Sequence, residues 1–205
     1  MQTSTKNTIA WVLRIVVSLL FIVSAVAKLS KSELLDSPYF AISTFEVKQL
    51  YTLGFSQTIA PYFSRILIGI ELALGILLLQ KHYLKRFIIP VTILMLVVFI
   101  GHLAYLILSN GNTGNCGCFG ELIPMTPAES IIKNIIAIGL LVWLYILLPK
   151  ENDKHNFWVL LTGLFASVLS LFMLAPIHPM EENSFSVTPL ETTIDSLGVD
   201  ANPAI

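Results

Sequence analysis

The sequence predicts an all-α integral membrane protein: a four-helix transmembrane bundle with a fifth transmembrane helix added. Three observations carry that prediction. The 205 residues are 55% hydrophobic and only 12% charged, with a mean hydropathy of +0.79, far from the balance of a soluble domain. Five apolar stretches, at 8–29, 59–80, 87–109, 128–148 and 157–175, reach or approach the roughly 20 residues a helix needs to cross a hydrocarbon core about 30 Å thick. None alternates with a period of two, and lipid offers no partner to irregular backbone, so helices are expected rather than a barrel. The chain divides accordingly into a four-helix unit at 1–148, a further helix at 149–176 and a tail at 177–205.

The first stretch ends in "SAVAKL", where Ala25 and Ala27 follow the small-residue pattern of a signal-peptidase site. Arg14 interrupts the run and its length suffices to span, which favours a retained helix; cleavage would leave four helices with the later topology unchanged. The connection from Ser30 to Gln57 mixes aromatic and polar residues and is punctuated by Pro38 and Gly54. It predicts one or two short interfacial helices capping the mouth of the bundle. The connections "KHYLKR" and "PKENDKH" are short and basic, so the second and third spans, and the fourth and fifth, are expected to be antiparallel neighbours. Between the third and fourth spans lies "GNTGNCGCFGEL", and the fourth opens on "TPAES". There Thr126 is placed as N-cap, Pro127 as first helical residue and Glu129 as the reciprocal member of a capping box. After Pro176 the chain has five acidic residues, three prolines and no Lys or Arg, the composition of a tail of weak local order.

Lys and Arg placement sets the orientation. With the N-terminus inside, the inner side receives Lys6, Lys81, Lys85, Arg86, Lys150 and Lys154, and the outer side Lys28, Lys31 and Lys48. Six against three predicts N-in and C-out in a bacterial inner membrane, with the cysteine loop and the tail on the periplasmic, oxidising side.

Cys116 and Cys118 are the chain's two cysteines. A Cys-Gly-Cys sequence can close an eleven-atom disulfide ring, for which Gly117 supplies the backbone freedom. A ring so small departs from relaxed disulfide geometry, and strained bridges exchange more readily than structural ones. As a staple it would remove little chain entropy, although two incidental buried cysteines would also fit the sequence. Two thiolates fall short of the four ligands of a structural zinc, so no metal is assigned.

Ionisable residues within the spans form the next group, since their burial is costly. Counting from the cytoplasmic ends puts Arg14 and Glu71 within about 6 Å of each other in depth, and an ion pair between them is expected, as helix registration or as a functional site. His102 and Lys133 fall just below the outer ends of their helices, beneath the cysteine loop, where positive or protonatable groups would favour a thiolate. For His102, a satisfied core position and a proton-handling role both stay open. Lys28 and Arg65, at helix ends, are expected to snorkel to the interface, and Asn134 to hydrogen-bond across helices. His178 reads as a solvated tail residue, and Trp11, Trp143, Tyr145 and Trp158 as interfacial aromatics. No phosphate-cradling glycine loop, Ser/His/Asp set or nucleic-acid patch is present.

Taken together, "LRIVVSLLFIVSAVAKL", "IGIELALGILLL" and "CGCFGELIPMTPAESIIKN" resemble the MauE branch of the DoxX-like membrane proteins, over roughly residues 10–148. The resemblance implies a four-helix membrane bundle associated with disulfide redox and with maturation of extracytoplasmic proteins such as methylamine dehydrogenase. It implies Cys116 and Cys118 as the redox pair, with Lys28, Glu71, Lys133 and Asn134 as positions of the family pattern. Some relatives continue into a thioredoxin-like domain. The expectation is a thiol–disulfide redox protein, in which one cysteine attacks a partner disulfide and the other resolves it, while Lys133 and His102 assist thiolate formation. Its partner would be an extracytoplasmic thioredoxin-like or client protein; the residues fix no cofactor and leave a quinone open. The rivals are a non-enzymatic membrane scaffold and a small-molecule carrier built on Arg14 and Glu71.

Overall fold

The computed structural model describes residues 2–30, 42–112, 114–120, 123–149 and 157–177. Its regular structure among the described residues is all helical, with five helices long and apolar enough to span a membrane. Helix α1 covers Gln2–Lys28, α3 Ala60–Leu77, α4 Ile89–Asn110, α5 Pro127–Leu147 and α6 Phe157–Leu174. Between α1 and α3 lies α2, Ile42–Phe45, which runs on through a π turn at Glu46–Leu50 and a 3-10 turn at Tyr51–Leu53. These are the short helices expected over the mouth, and Gly54, with φ of 86°, ends them. The tail, His178 included, and Lys31, Lys150 and Lys154 lie outside the described residues.

Apolar burial and apolar exposure coexist as a bilayer requires. Val17, Phe21, Leu78, Ile89, Leu141 and Leu144 form one core between α1, α3, α4 and α5, while Leu169, Met173, Val98 and Ile146 point outward. In water those outer faces would be a liability; in lipid they need no partner. Trp143 and Trp158 are exposed on the outer faces as well.

Small residues set the register of α1 on α3. A Cβ on Gly75 would meet Phe21 and Ile22 at 3.0 Å, so the glycine lets the two backbones approach, and Ser18 Oγ donates to the Gly75 carbonyl at 2.6 Å. Polar groups close the end of the bundle opposite the cysteine loop, where Lys85 Nζ donates to the Leu148 carbonyl at 2.8 Å. The reversal from α3 into the next span uses π geometry: Leu84–Ile88 is a π turn entered from Tyr83 at φ 60°. At the outer end of α5 the capping box forms as expected, with Thr126 accepting from the Glu129 amide and Glu129 accepting from that of Thr126.

The neighbour relations differ from those expected. Helix α1 packs on α3 and α5, and α4 on α5, but α6 packs along α3 instead of along α5. Two glycines explain the choice. A Cβ on Gly69 would lie 2.7 Å from the Val168 Cα, and one on Gly163 would lie 3.2 Å from Leu77. A groove of this kind on α3 admits α6 more closely than the leucine-rich face of α5 can. Close packing between α3 and the third span is concentrated at the π turn, leaving a looser seam toward the end that carries the cysteine loop.

Candidate functional site

The loop between α4 and α5 folds inward over the bundle. Asn115 organises it: its Oδ1 accepts from the amides of Gly117 at 3.0 Å and Met125 at 3.3 Å, and its Nδ2 donates to the Gly120 carbonyl at 3.0 Å. The Cys116 amide donates to the Met125 carbonyl at 2.8 Å. Gly117, at φ +73°, lies with its Cβ position 3.3 Å from the Phe45 Cα. A side chain there would be strained by the positive φ and would crowd the α2 backbone across the turn.

The two thiols are free and unequal. Cys116 is 2% exposed, and its sulfur pairs with Ser130 Oγ at 3.0 Å and accepts from the Cys118 amide at 3.4 Å. Cys118 is half-buried. Gln49 Nε2 reaches both halves of the motif, donating to the Cys116 carbonyl and to Cys118 Sγ, the latter at 3.4 Å. Ser24 Oγ holds the Cys118 carbonyl at 3.0 Å. The dithiol is thus covered, and Gln49 of the π turn, Ser24 of α1 and Ser130 of α5 supply the polar partners that solvent would otherwise provide.

Electrostatics divide the thiols further. A hydrogen bond from the Cys116 thiol, followed by the nearby charges of Lys28 and Lys133, holds the Cys118 sulfur down at about 6, against 9.0 for an ordinary thiol. The same hydrogen bond, with burial, pushes Cys116 up. One sulfur is poised as the thiolate and the other keeps the proton.

Below the thiols, Lys28 Nζ donates to Glu71 Oε2 at 2.7 Å and to Ser24 Oγ at 3.2 Å, with both charged side chains under 10% exposed. Glu71 therefore pairs with Lys28, not with Arg14. The register explains the correction: Ser18 sits opposite Gly75, so residue 14 lies level with about residue 79 and Glu71 level with about residue 22. Eight residues of axial rise separate them, about 12 Å. Arg14 instead caps α3, donating through Nε to the Leu78 carbonyl at 3.0 Å and through Nη2 to the Gln80 carbonyl, with Trp11 4.5 Å beneath its guanidinium.

Lys28 and Arg65 do not snorkel. Arg65 is 6% exposed and grips Glu46 at 2.9 Å, the Pro61 carbonyl at 2.8 Å and the Ala175 carbonyl at 2.8 Å. It thereby ties the segment after α2 to the end of α6, and Ser64 Oγ adds a bond to the same Glu46 oxygen at 2.5 Å. His102, Lys133 and Asn134 line one cleft with Cys118, Lys28 and Glu71. Lys133 Nζ rests over the Phe119 ring, 4.0 Å from its centroid.

Sequence reasoning missed Gln49, Ser24, Ser130 and Glu46. Ser24 and Ser130 carried a usable signal: each lies four residues before a singled-out residue on its helix, Lys28 and Asn134, hence on the same face. Gln49 and Glu46 carried none, because a mixed-polarity loop has no periodicity to place them.

Protein TlpB of Flavobacterium psychrophilum is 60% identical over 195 residues, covering 95% of this chain and 52% of that protein. The chain thus spans about half the length of the curated relative it matches. No solved structure matches. The family described as methylamine utilisation protein MauE matches residues 6–147, from the start of α1 to the end of α5 with the dithiol and the Lys28–Glu71 pair inside, and the chain belongs to that family.

Proposed function

We propose that this multi-pass membrane protein is a thiol–disulfide redox protein of the bacterial inner membrane, with the Cys-Gly-Cys loop facing the periplasm. In this reading it exchanges disulfides with an extracytoplasmic thioredoxin-like or client protein and so serves maturation of exported proteins. The four-helix unit at 1–148 carries the chemistry, and the fifth helix and tail extend it. The observation that carries the reading is the division of labour between two free thiols within one three-residue turn. Family membership supports a membrane role in redox maturation, and the basic inner loops support the orientation.

The chemistry follows from the contacts. Cys118, as thiolate, attacks one sulfur of a partner disulfide, and the other partner sulfur leaves with the electron pair. Cys116 then loses its proton and attacks Cys118 Sγ, releasing the partner reduced and leaving Cys116 and Cys118 joined. Lys28 and Lys133 stabilise the thiolate, Gln49 donates to it, and Ser130 orients the resolving sulfur. Glu71 holds Lys28 in that frame, and Asn134 lines the cleft beside it. Because α2 lies over Gly117, a protein partner reaches the thiols when α2 swings outward. The carrier reading loses its basis, since Arg14 and Glu71 do not meet.

The test is alkylation of thiols in membranes equilibrated with glutathione buffers of set potential. A reversible Cys116/Cys118 couple is expected, and a Cys116→Ser variant should accumulate mixed disulfides that Cys118→Ser does not form. Thiols that never pair, with full function in the double serine variant, would support the scaffold instead.

A further inference from the structure

At the end of the bundle opposite the cysteine loop, an open groove runs between α4 and α5, with about 440 Å³ of free space. Pro90, Ile93, Leu94 and Val97 of α4 wall one side, and Val142 and Tyr145 of α5 the other. From Pro90 to Val97 the helix rises about 10 Å, roughly two-thirds of one leaflet of a hydrocarbon core about 30 Å thick. Leu94, Val97, Val142 and Tyr145 are exposed, so the groove is open to lipid along its length. A groove gives an acyl chain contacts on two sides, which a smooth helix face does not, and in lipid such dispersion contacts are what hold apolar partners together.

The mouth of this groove is basic. Lys85 Nζ lies 4.9 Å from the centroid of the Tyr145 ring, which is the aromatic wall at that end. It donates to the Leu148 carbonyl at 2.8 Å, and an ammonium has three donors. Arg86, the next residue of the π turn, is exposed, as is Lys81 in the same reversal. Among the described residues neither Lys85 nor Arg86 pairs with a carboxylate, both ion pairs there being made by Lys28 and Arg65. Basic residues flank many spans, and loose charges gather anionic lipid without fixing it. Here one ammonium is held against the wall of a groove shaped for the lipid's chain.

We propose that the α4–α5 groove binds an anionic glycerophospholipid, with one acyl chain along the groove and the phosphate and headgroup at Lys85 and Arg86. Basic pockets between helix ends select such headgroups, each Lys or Arg near the surface strengthening the attraction about fivefold. A zwitterionic lipid fits the groove equally well but sets an ammonium of its own against these two cations. The site rests on the membrane-spanning helices alone and is independent of the thiol chemistry.

The experiment places the full chain in nanodiscs of phosphatidylethanolamine containing a small fraction of phosphatidylglycerol. One lipid or the other carries a diazirine on its acyl chain, and the photolabelled peptides are mapped. Per mole of lipid, phosphatidylglycerol should label the groove segments of α4 and α5 at least about fivefold more than phosphatidylethanolamine does. The variant Lys85→Gln, Arg86→Gln should lose that preference, and Lys85→Arg, Arg86→Lys, which keeps both charges, should retain it. Val97→Trp fills the groove without touching a charge and should lower phosphatidylglycerol labelling there to the level of the other lipid-facing helices. If the double glutamine variant loses helix content, the charge-keeping variant and Val97→Trp still decide the outcome. Equal labelling by the two lipids would overturn the proposal. So would phosphatidylglycerol labelling spread evenly over the helices and unmoved by Val97→Trp, the mark of boundary lipid drawn by the basic reversal.

Discussion

Replacing Glu71 by Gln tests the centre of the site, because it leaves the buried ammonium of Lys28 without its carboxylate. At the observed 2.7 Å and an effective dielectric of about 20, the gross attraction is about 6 kcal/mol. Desolvating the two ions offsets most of it, so breaking the pair from one side should cost about 3–5 kcal/mol, whereas replacing both partners with apolar residues should cost far less. Unfolding of the purified protein in mild detergent would measure Glu71→Gln, Lys28→Met and the double variant Lys28→Met, Glu71→Leu as a cycle. The singles should be strongly destabilised and the double close to wild type, a coupling above about 2 kcal/mol. A second readout separates stability from chemistry. Lys28 favours the Cys118 thiolate, so the pH midpoint for Cys118 alkylation should rise in the double variant despite its restored stability. A double variant as unstable as the worse single would refute the pair as a unit, and an unmoved midpoint would refute the action of Lys28 on the thiol.

Three further outcomes are expected. Cys118 is held at about 6 against 9.0 when unfolded, so its thiolate stabilises the fold fully above pH 9, and that contribution is lost as pH falls toward about 6. Thermal midpoints of wild type should therefore climb from pH 6 to 9 relative to Cys118→Ser, while Cys116, pushed up, contributes nothing in that window; parallel curves would refute the sign. Gln49→Ala removes the donor that ties the α2 segment to the motif, and maleimide labelling of Cys116 should accelerate several-fold with little change in helix content. Gly69→Leu forces a side chain into the Val168 backbone and should cost about 1–3 kcal/mol or more, loosening α6 from α3 in cysteine cross-linking between them.

The spans were legible because the bilayer imposes one rule on every one of them: a run near 20 apolar residues, whatever its neighbours. The ends of α3, α5 and α6 fall within about three residues of the hydropathy limits, and the Thr126 cap was readable because its partners lie three residues apart in sequence. Which helices touch obeys no such local rule. The α3–α6 contact depends on Gly69 meeting Val168, a pairing across about a hundred residues that hydropathy does not encode, and loop length suggested the wrong neighbour.

The charges failed for a related reason. Depth counted from the ends of a span is uncertain by a turn at each end, and two such errors brought Arg14 and Glu71 together when the Ser18–Gly75 register holds them apart. A cation at a helix end is read as snorkelling on the assumption that water lies beside it. Here that assumption is decided by α2 and the turns that follow, which roof the outer mouth and bring Glu46 to Arg65 across 19 residues and Gln49 to the thiols across 69. Lys28, under the same roof, turns back along its own helix to Ser24 and across to Glu71, 43 residues away. The segment with the least periodicity thus determines which charges are buried. Buried charges near a sulfur in turn determine which thiol ionises, so the chemistry of the Cys-Gly-Cys motif is set largely by a stretch in which neither composition nor period pointed to a function.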